Sequence, residues 1–465
     1  MRRPLRDSFL ISAAALALFG LIRFVFNAVG IRVFGPEYIG VVGSTISTLT
    51  VIAVALASIP SVLAAKFVAE YRGSGDTARA YRLFSGVVIG TGFMGLLSSG
   101  ALTALGRPPG AASLVCYVPL FGFYLVFKGT YFAFAYQRQY ARAEAIGAVA
   151  FAIVFSAACF WRQPSLASAS LLAHPLVFTL IALVDHRAFF RLHGGLAELA
   201  REWRRYGVYS IATFVNAMNG LGSYHFLVIL ASMFLDLATV GYLNVLLATL
   251  APLSLIPAAY GTAGFPEMAR LHGVGDVERL RSLLWRSTVA LQAIAVLAAG
   301  PILVAPGKIL PLLHVPPDHG LLVTWCCIAV SLQLNMTSAP AGHFLNATEH
   351  VVRHAMLSGV FLVFGTVVGV AAMSVSGAVG VGIMRFALDG PLAWARMTLA
   401  ERSVRWVGSH VAQLIGGQLA ILSLFASAVV RTPPMLVATL WVVAAASQLP
   451  ALADVLRRPS GSRLR

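Results

Sequence analysis

Long apolar stretches follow one another along almost the whole chain, and short polar connections separate them. A helix needs about 20 mostly apolar residues to cross a bilayer. The pattern predicts fourteen such helices, at 8–33, 39–65, 83–105, 111–136, 145–161, 166–185, 206–234, 240–264, 287–305, 320–345, 354–375, 377–398, 409–430 and 433–452. The predicted fold is therefore an all-α polytopic membrane protein with about fourteen transmembrane helices.

Composition agrees with this pattern and excludes a soluble domain. Hydrophobic residues make up 58% of the chain, charged residues 11%, and the mean hydropathy is +0.83. These values are far from those of soluble proteins. Basic residues at the start of the chain precede an apolar stretch that is too long for the core of a signal peptide. We interpret that stretch as a first membrane span that is not cleaved.

One seven-residue motif occurs twice in the chain. Gly73-Ser-Gly-Asp-Thr-Ala-Arg79 recurs 200 positions later as Gly273-Val-Gly-Asp-Val-Glu-Arg279, and upstream Gly40 pairs with Gly241 at an offset of 201. Such spacing indicates two halves that are built alike. The predicted organisation is an N-lobe at 1–185 (spans 1–6), a basic cytoplasmic linker at 186–205, a C-lobe at 206–398 (spans 7–12), and spans 13–14 with a basic cytoplasmic tail at 399–465.

The repeated motif has a structural explanation. Its glycines permit the left-handed turn that ends one helix, and Asp76 or Asp276 can cap the next. A phosphate-binding loop would need Lys-Ser/Thr after the glycines, and both copies lack it.

The distribution of basic residues predicts the orientation of the chain. With the N-terminus inside, 26 of the 34 Lys and Arg residues fall on the cytoplasmic side, 5 outside and 3 within spans. This bias places both termini in the cytoplasm of a protein in the cell (inner) membrane. It also accounts for the net charge of +17, so nucleic acid is not a predicted partner.

The sequence lacks the usual signals of an enzyme. A membrane-embedded glycosyltransferase, ligase or polymerase needs paired acids, a metal site or a large outer loop, and the outer connections are short. The four cysteines do not have the spacing of a zinc site or of a disulfide framework. The chain is therefore predicted to be no enzyme and to need no cofactor or metal.

The two Gly-x-Gly-Asp-x-x-Arg loops, with the glycine-bearing entries Phe34-Gly-Pro-Glu-Tyr-Ile-Gly40 and Val240-Gly241-Tyr242, carry a family resemblance. The chain resembles the lipid-linked oligosaccharide and polysaccharide flippases, whose superfamily also contains multidrug extruders. The resemblance covers most of the first 300 residues. It implies two pseudo-symmetric lobes around a cavity that opens to each side in turn. By resemblance to the lipid II flippase, spans 13 and 14 would form a groove for a lipid tail.

Charged and polar side chains inside spans are the candidates for binding a substrate, because a charge at mid-bilayer costs about 2.5–3.5 kcal/mol. Arg23 lies about 18 Å and 26 Å from the two ends of span 1, and Asn27 follows one turn later. Tyr224 and His225 occupy the equivalent depth in span 7. A cavity role competes with an Arg23 that snorkels to the headgroups or caps a neighbouring helix.

Two further cations are candidates with open alternatives. Lys128 lies about 15 Å inside the cytoplasmic edge of the aromatic-rich fourth span and could still snorkel. Arg385 has Asp389 one turn later, so an internal ion pair beside a helix break at Gly390-Pro391 is the simpler explanation.

The distribution of acidic residues favours an anionic substrate. Spans 1 and 7 contain no Asp or Glu, although the drug extruders of this superfamily typically bind a cation there through a carboxylate. Guanidinium and ammonium groups suit a diphosphate. We therefore predict a flippase that moves an undecaprenyl-diphosphate-linked oligosaccharide from the cytoplasmic to the outer leaflet. The polyprenyl-linked glycan and membrane lipids are its predicted partners, and a coupling proton or sodium ion is left open. The alternatives are a lipid II flippase and a cation-coupled multidrug extruder.

The topology generates a labelling prediction. Cysteines introduced at Gly75 and Gly275 should be protected from an impermeant reagent added outside intact cells, whereas a cysteine at Pro109 should react, because only the last site is predicted to be outside. Labelling of both loop sites from outside would invert the orientation.

Overall fold

A computed structural model describes residues 5–104, 112–134, 136–191, 193–304, 310–316, 318–404, 408–429 and 434–457. Every regular element in these ranges is a helix, which confirms the all-α prediction. The side chains predicted to bind substrate lie in these ranges, whereas Pro109 lies outside them.

The first compact unit spans Met1–Ala248. Its long helices are α1 (Leu5–Phe34), α2 (Pro36–Leu63), α3 (Thr77–Ala104), α4 (Tyr117–Ala133), α5 (Gln137–Trp161), α6 (Pro164–His186), α7 (Gly195–Ala217), α8 (Ser223–Phe234) and α9 (Leu237–Thr249). A π-helical turn at Ala64–Val68 joins α2 to a last turn at Ala69–Gly73, and a second one at Met218–Gly222 joins α7 to α8.

The second compact unit spans Thr249–Arg465. Its long helices are α10 (Ala251–Gly273), α11 (Val277–Val304), α12 (His319–Ala347), α13 (Val351–Ser376), α14 (Ala378–Val404), α15 (Gly408–Val429) and α16 (Pro434–Arg457).

Helices occur at all fourteen stretches that the hydropathy pattern predicts. Within the described residues, ten helices are long and apolar enough to cross a membrane, or eleven if α9 and the start of α10 form one span. The predicted spans at 377–398, 409–430 and 433–452 are not among them. The first of these stretches carries the charges of Arg385, Asp389 and Arg396, and the last two have shorter apolar segments, Leu414–Ala426 and Met435–Leu449.

The predicted linker at 186–205 includes the start of a helix, because α7 begins at Gly195 and has non-helical backbone angles only at Tyr206 (φ −122°, ψ 19°). One local prediction differs from the structure. The predicted helix break at Gly390-Pro391 is wrong, because α14 continues through Pro391. Neighbouring helices and local adjustment allow a proline inside a membrane helix without a break.

The repeated motif forms the same turn in both copies. Gly75 (φ 86°) and Gly275 (φ 71°) adopt the left-handed conformation. Asp76 and Asp276 each accept a hydrogen bond at Oδ1 from the backbone amide three residues later, at 3.1 Å. This geometry matches the expected turn and cap. A cysteine at either glycine would be strained there, so the exposed neighbours Ser74 and Val274 are better labelling sites.

The paired glycines upstream of the motif bring two helices into direct backbone contact. A Cβ atom added at Gly40 of α2 would lie 1.9 Å from the Leu237 carbonyl oxygen, and one added at Gly241 of α9 would lie 2.0 Å from the Pro36 carbonyl oxygen. Leu237 and Pro36 each precede a glycine by four residues, so the two contacts are reciprocal. The 201-residue offset in the sequence thus corresponds to a symmetric close crossing of α2 and α9.

This crossing predicts that its glycines cannot be replaced. Gly40→Ala and Gly241→Ala should each lower the free energy of unfolding by about 1–3 kcal/mol or more, because the methyl group overlaps a backbone carbonyl that cannot rotate away. Gly100→Ala is the matched control, since no atom lies within 4 Å of a Cβ at that position in α3. Thermal unfolding in detergent measures the difference. Equal stability of all three variants would contradict the close crossing.

Candidate functional site

A cavity inside the first unit contains four of the six predicted side chains. Arg23 and Asn27 reach it from α1, and Tyr224 and His225 reach it from α8. The other lining residues come from α1, α2, α4, α6 and α9 and are Phe19, Ile22, Phe26, Val42, Gly43, Ile46, Ser47, Tyr117, Phe121, Leu171, His174, Pro175 and Asn244. The equal depth that the sequence predicts for the two pairs thus brings them to one place.

Arg23 contacts side chains rather than a headgroup layer or a helix end. Its Nη1 donates to His225 Nε2 at 3.1 Å, and its Nη2 lies 3.5 Å from the Tyr117 hydroxyl, at the outer limit of a hydrogen bond. The guanidinium carbon also lies 5.2 Å from the centre of the Phe19 ring, within reach of a cation–π attraction. These contacts do not agree with snorkelling or capping, the two alternatives left open above.

The Arg23 contact fixes the hydrogen-bonding roles of His225. A guanidinium has only donors, so His225 Nε2 must be the acceptor. The proton then lies on Nδ1, which donates to Ser47 Oγ at 3.1 Å. His225 is therefore a neutral bridge between the arginine of α1 and the serine of α2.

Asn27 and the aromatic residues of α4 complete the surroundings of Arg23. Asn27 Nδ2 donates to the Arg23 carbonyl oxygen at 2.8 Å. Tyr117 and Phe121 stack with their centroids 5.2 Å apart, and Phe121 stacks on Tyr124 at 5.5 Å. Tyr117 and Phe121 line the cavity as well as packing on each other. The aromatic run in the fourth span thus supplies both packing and a flat wall.

A buried carboxylate lies behind this cavity, and the sequence interpretation missed it. Glu144 of α5 is fully buried. Its Oε1 accepts from the Tyr124 hydroxyl at 2.8 Å, and its Oε2 lies 2.8 Å from Nε2 of His174, which lines the cavity. Glu144 is therefore a buried acid in addition to Asp389, the acid that the sequence pattern places inside a span. Glu144 precedes the predicted apolar stretch at 145–161 by one residue, and α5 begins earlier, at Gln137. A signal for this contact was present in the sequence, because His174 lies within the predicted span 6.

Lys128 does not line the cavity that contains Arg23. Its ammonium lies 5.8 Å from the centre of the Tyr124 ring on the same helix, α4, and the residue is partly buried. Tyr124 connects this region to Glu144, so the lysine is a neighbour of the buried carboxylate rather than of the guanidinium.

Arg385 lies in the second unit and forms the expected ion pair. Its Nε is 2.7 Å from Asp389 Oδ2, with both side chains almost fully buried. Arg396, on the same helix, is buried too, although it was not among the side chains predicted to bind substrate. It donates from Nε to His354 Nε2 at 2.8 Å, and His354 Nδ1 is 2.9 Å from Asn346 Oδ1. An arginine that donates to a neutral histidine thus occurs in each unit.

Within the described part of the chain, no group of three or more His, Cys, Asp or Glu side chains is arranged to hold a metal ion. The cavity can offer a ligand permanent positive charge, amide groups, hydroxyl groups and aromatic faces.

No protein-family model and no curated protein matches the sequence. Solved structures share its fold. An inward-facing multidrug-resistance MATE transporter of the MOP superfamily superposes with a TM-score of 0.63 at 14% identity, covering 85% of this chain and 98% of that one. An outward-facing MATE transporter gives 0.65 at 14% identity, over 87% and 96%. A MOP transporter from Pyrococcus furiosus, described as having a binding pocket of reversed polarity that suggests a different function, gives 0.63 at 13% identity, over 86% and 95%.

These similarities establish the class of fold. The chain has the fold of the MATE transporters. At 13–14% identity they do not extend to the substrate.

The buried carboxylate generates a stability prediction. Glu144→Ala should lower the free energy of unfolding by about 2–5 kcal/mol, because it leaves the Tyr124 hydroxyl and the His174 ring buried without their acceptor. Glu144→Gln keeps one acceptor oxygen and should cost less. The control is Glu349→Ala, which removes an exposed acid and should stay within about 0.5 kcal/mol of the parent. Thermal unfolding of the purified protein compares the three, and a Glu144→Ala variant as stable as the control would contradict the proposed contacts.

Proposed function

We propose that the protein is a flippase that moves a polyprenyl-diphosphate-linked oligosaccharide from the cytoplasmic to the outer leaflet of the cell membrane by alternating access. Both termini lie in the cytoplasm in this proposal. The substrate diphosphate binds at Arg23, and the glycan occupies the cavity beside it. The MATE transporter fold supports the transport mechanism, and the site supports the choice of substrate.

The positive charge of the cavity is the main observation that supports the proposal. Among the described residues that line the cavity, Arg23 is the one permanently charged side chain, and none of them is an acid. The Tyr117 and His225 contacts engage two of the five N–H donors of the guanidinium, so donors remain for a ligand. A planar cation with free donors binds phosphate oxygens in pairs. An anionic headgroup therefore fits this cavity better than a cationic drug.

The lining also suits a glycan. Asn27, Asn244 and Tyr224 supply amide and hydroxyl groups, and Tyr117 and Phe121 supply flat apolar faces. Sugar rings offer hydroxyl groups at their edges and C–H groups on their faces, so both kinds of lining have a partner. The Pyrococcus transporter, which has the same fold, sets a precedent for inferring a different function from the polarity of a pocket.

Lipid II is the nearest alternative passenger, because it carries the same diphosphate. No charged residue occurs between Glu37 and Lys66 in this chain, whereas the lipid II branch carries additional charges in its second span. We therefore favour another polyprenyl-linked glycan.

A cation-coupled multidrug extruder is the second candidate function, and Glu144 favours it. A carboxylate that contacts a cavity histidine could bind a proton or a sodium ion during transport. Resistance to cationic dyes on overexpression, lost in Glu144→Gln, would support this alternative. The flippase proposal expects no such resistance.

Substitution of Arg23 tests the proposed function. Arg23→Ala should reduce transport on the order of 10–100-fold, the effect of losing paired charge-assisted hydrogen bonds, at normal abundance in the membrane. Arg23→Lys should restore part of it, since the charge remains and the paired geometry is lost. The measurement is complementation of a glycan-deficient strain, scored together with immunoblot abundance.

Arg138→Ala is the matched control, because it removes an exposed arginine from the predicted cytoplasmic side. Its transport should equal that of the parent. Full complementation by Arg23→Ala would remove the guanidinium from substrate binding. A parallel loss of abundance and activity, restored by Arg23→Gln, would make Arg23 a structural residue.

A further inference from the structure

The first turns of α7 form a short segment, residues 195–205, with three different faces. Its acids, Glu198 and Glu202, are buried, and three arginines, Arg201, Arg204 and Arg205, are exposed. We propose that this segment lies along the membrane surface and binds the headgroups of anionic phospholipids. The proposal concerns a surface outside the substrate cavity and is independent of the transported molecule.

The buried face is held by ion pairs to α3. Arg79 Nε lies 2.7 Å from Glu198 Oε1, and Arg79 Nη2 lies 2.5 Å from Glu202 Oε1. Arg82 Nε is 3.6 Å from the other oxygen of Glu198. Both acids of the segment are therefore neutralised on its inner side. Because Arg79 and Arg82 already neutralise them, these acids leave the charges of the three exposed arginines uncompensated.

The exposed side has an apolar stripe next to a basic one. Leu196 (55% exposed), Ala200 and Trp203 (38% exposed) lie on one stripe of the helix, at positions i, i+4 and i+7. Arg204, Arg201 and Arg205 follow on the adjoining stripe. Apolar groups flanked by arginines, with a tryptophan between, are typical of a helix at the boundary between headgroups and acyl chains.

The backbone allows the segment to take its own direction. α7 has non-helical angles at Tyr206, directly after the last arginine. The Tyr206 ring stacks on Phe67 with the centroids 3.8 Å apart, which fixes the position of this change. The helix from there onward is free to enter the bilayer while 195–205 follows its surface.

Charge decides among the partners that such a face could bind. Arg79 and Arg82 already neutralise the two acids of the segment, so the three exposed guanidinium groups favour an anionic ligand. Because Leu196 and Trp203 lie beside them, that ligand must also offer apolar material. An anionic phospholipid such as phosphatidylglycerol supplies both, whereas nucleic acid or an acidic soluble protein supplies only the charge.

Fluorescence quenching by brominated lipids tests the proposal on the full-length protein in nanodiscs of phosphatidylcholine. The contribution of Trp203 is the difference between the parent and Trp203→Phe. At equal mole fraction, brominated phosphatidylglycerol should quench this contribution at least about threefold more than brominated phosphatidylcholine, a conservative fraction of the roughly fivefold preference per surface arginine. The preference should fall as salt is raised.

Two triple variants separate a local effect from net charge. Arg201→Gln/Arg204→Gln/Arg205→Gln should abolish the preference for phosphatidylglycerol. Arg138→Gln/Arg353→Gln/Arg402→Gln should retain it, since it removes three exposed arginines elsewhere on the predicted cytoplasmic side. Equal quenching by both lipids, an equal loss in both triple variants, or no Trp203 quenching at all would each overturn the proposal. In the last case, binding of RNA or polyglutamate at the same arginines would assign the face to a soluble partner.

Discussion

A guanidinium group inside a membrane-spanning helix is the constraint that the polar contacts of the cavity satisfy. A guanidinium group carries a permanent positive charge, so the neighbours of Arg23 must accept its hydrogen bonds and stabilise its charge. His225 accepts from Nη1, and the Tyr117 hydroxyl and the Phe19 ring lie beside the remaining atoms. Three helices, α1, α4 and α8, thus contribute to one contact. The neutral state of His225 follows from this contact, because a protonated ring would place two donors opposite each other.

The glycine crossing of α2 and α9 explains how α8 reaches Arg23. Reciprocal contacts at Gly40 and Gly241 let the two backbones meet where any side chain would keep them apart. Only two residues separate the end of α8 from the start of α9, so an α9 placed against α2 also holds α8 near it. Ser47 of α2 then receives the hydrogen bond from His225 Nδ1. The repeated glycines thus allow the close crossing of α2 and α9, and this crossing places His225 of α8 where it contacts Arg23 and Ser47.

Features with a local or periodic cause were predictable from the sequence. Apolar length predicted the helices, the φ preference of glycine predicted the turns at Gly75 and Gly275, and counting from paired glycines brought Tyr224 and His225 to the depth of Arg23. Features that depend on tertiary contacts were not. The hydropathy pattern places Glu144 just outside the predicted span at 145–161. Its burial becomes visible only in the packing of α4 and α6 against α5. Arg396 was likewise missed, because its partners His354 and Asn335 come from other helices.

Movement of a labelled substrate in reconstituted vesicles tests the central claim most directly, since it needs no host pathway. Proteoliposomes would contain a short oligosaccharide on a polyprenyl diphosphate, or on the same polyprenyl chain through a neutral ether, and a lectin outside would report the glycans that reach the outer leaflet. The protein should move the diphosphate-linked glycan at least about tenfold faster than the neutral one, the effect of one charge-assisted pair. Equal rates for both lipids, or transport of a cationic dye with no movement of either glycan, would contradict this prediction.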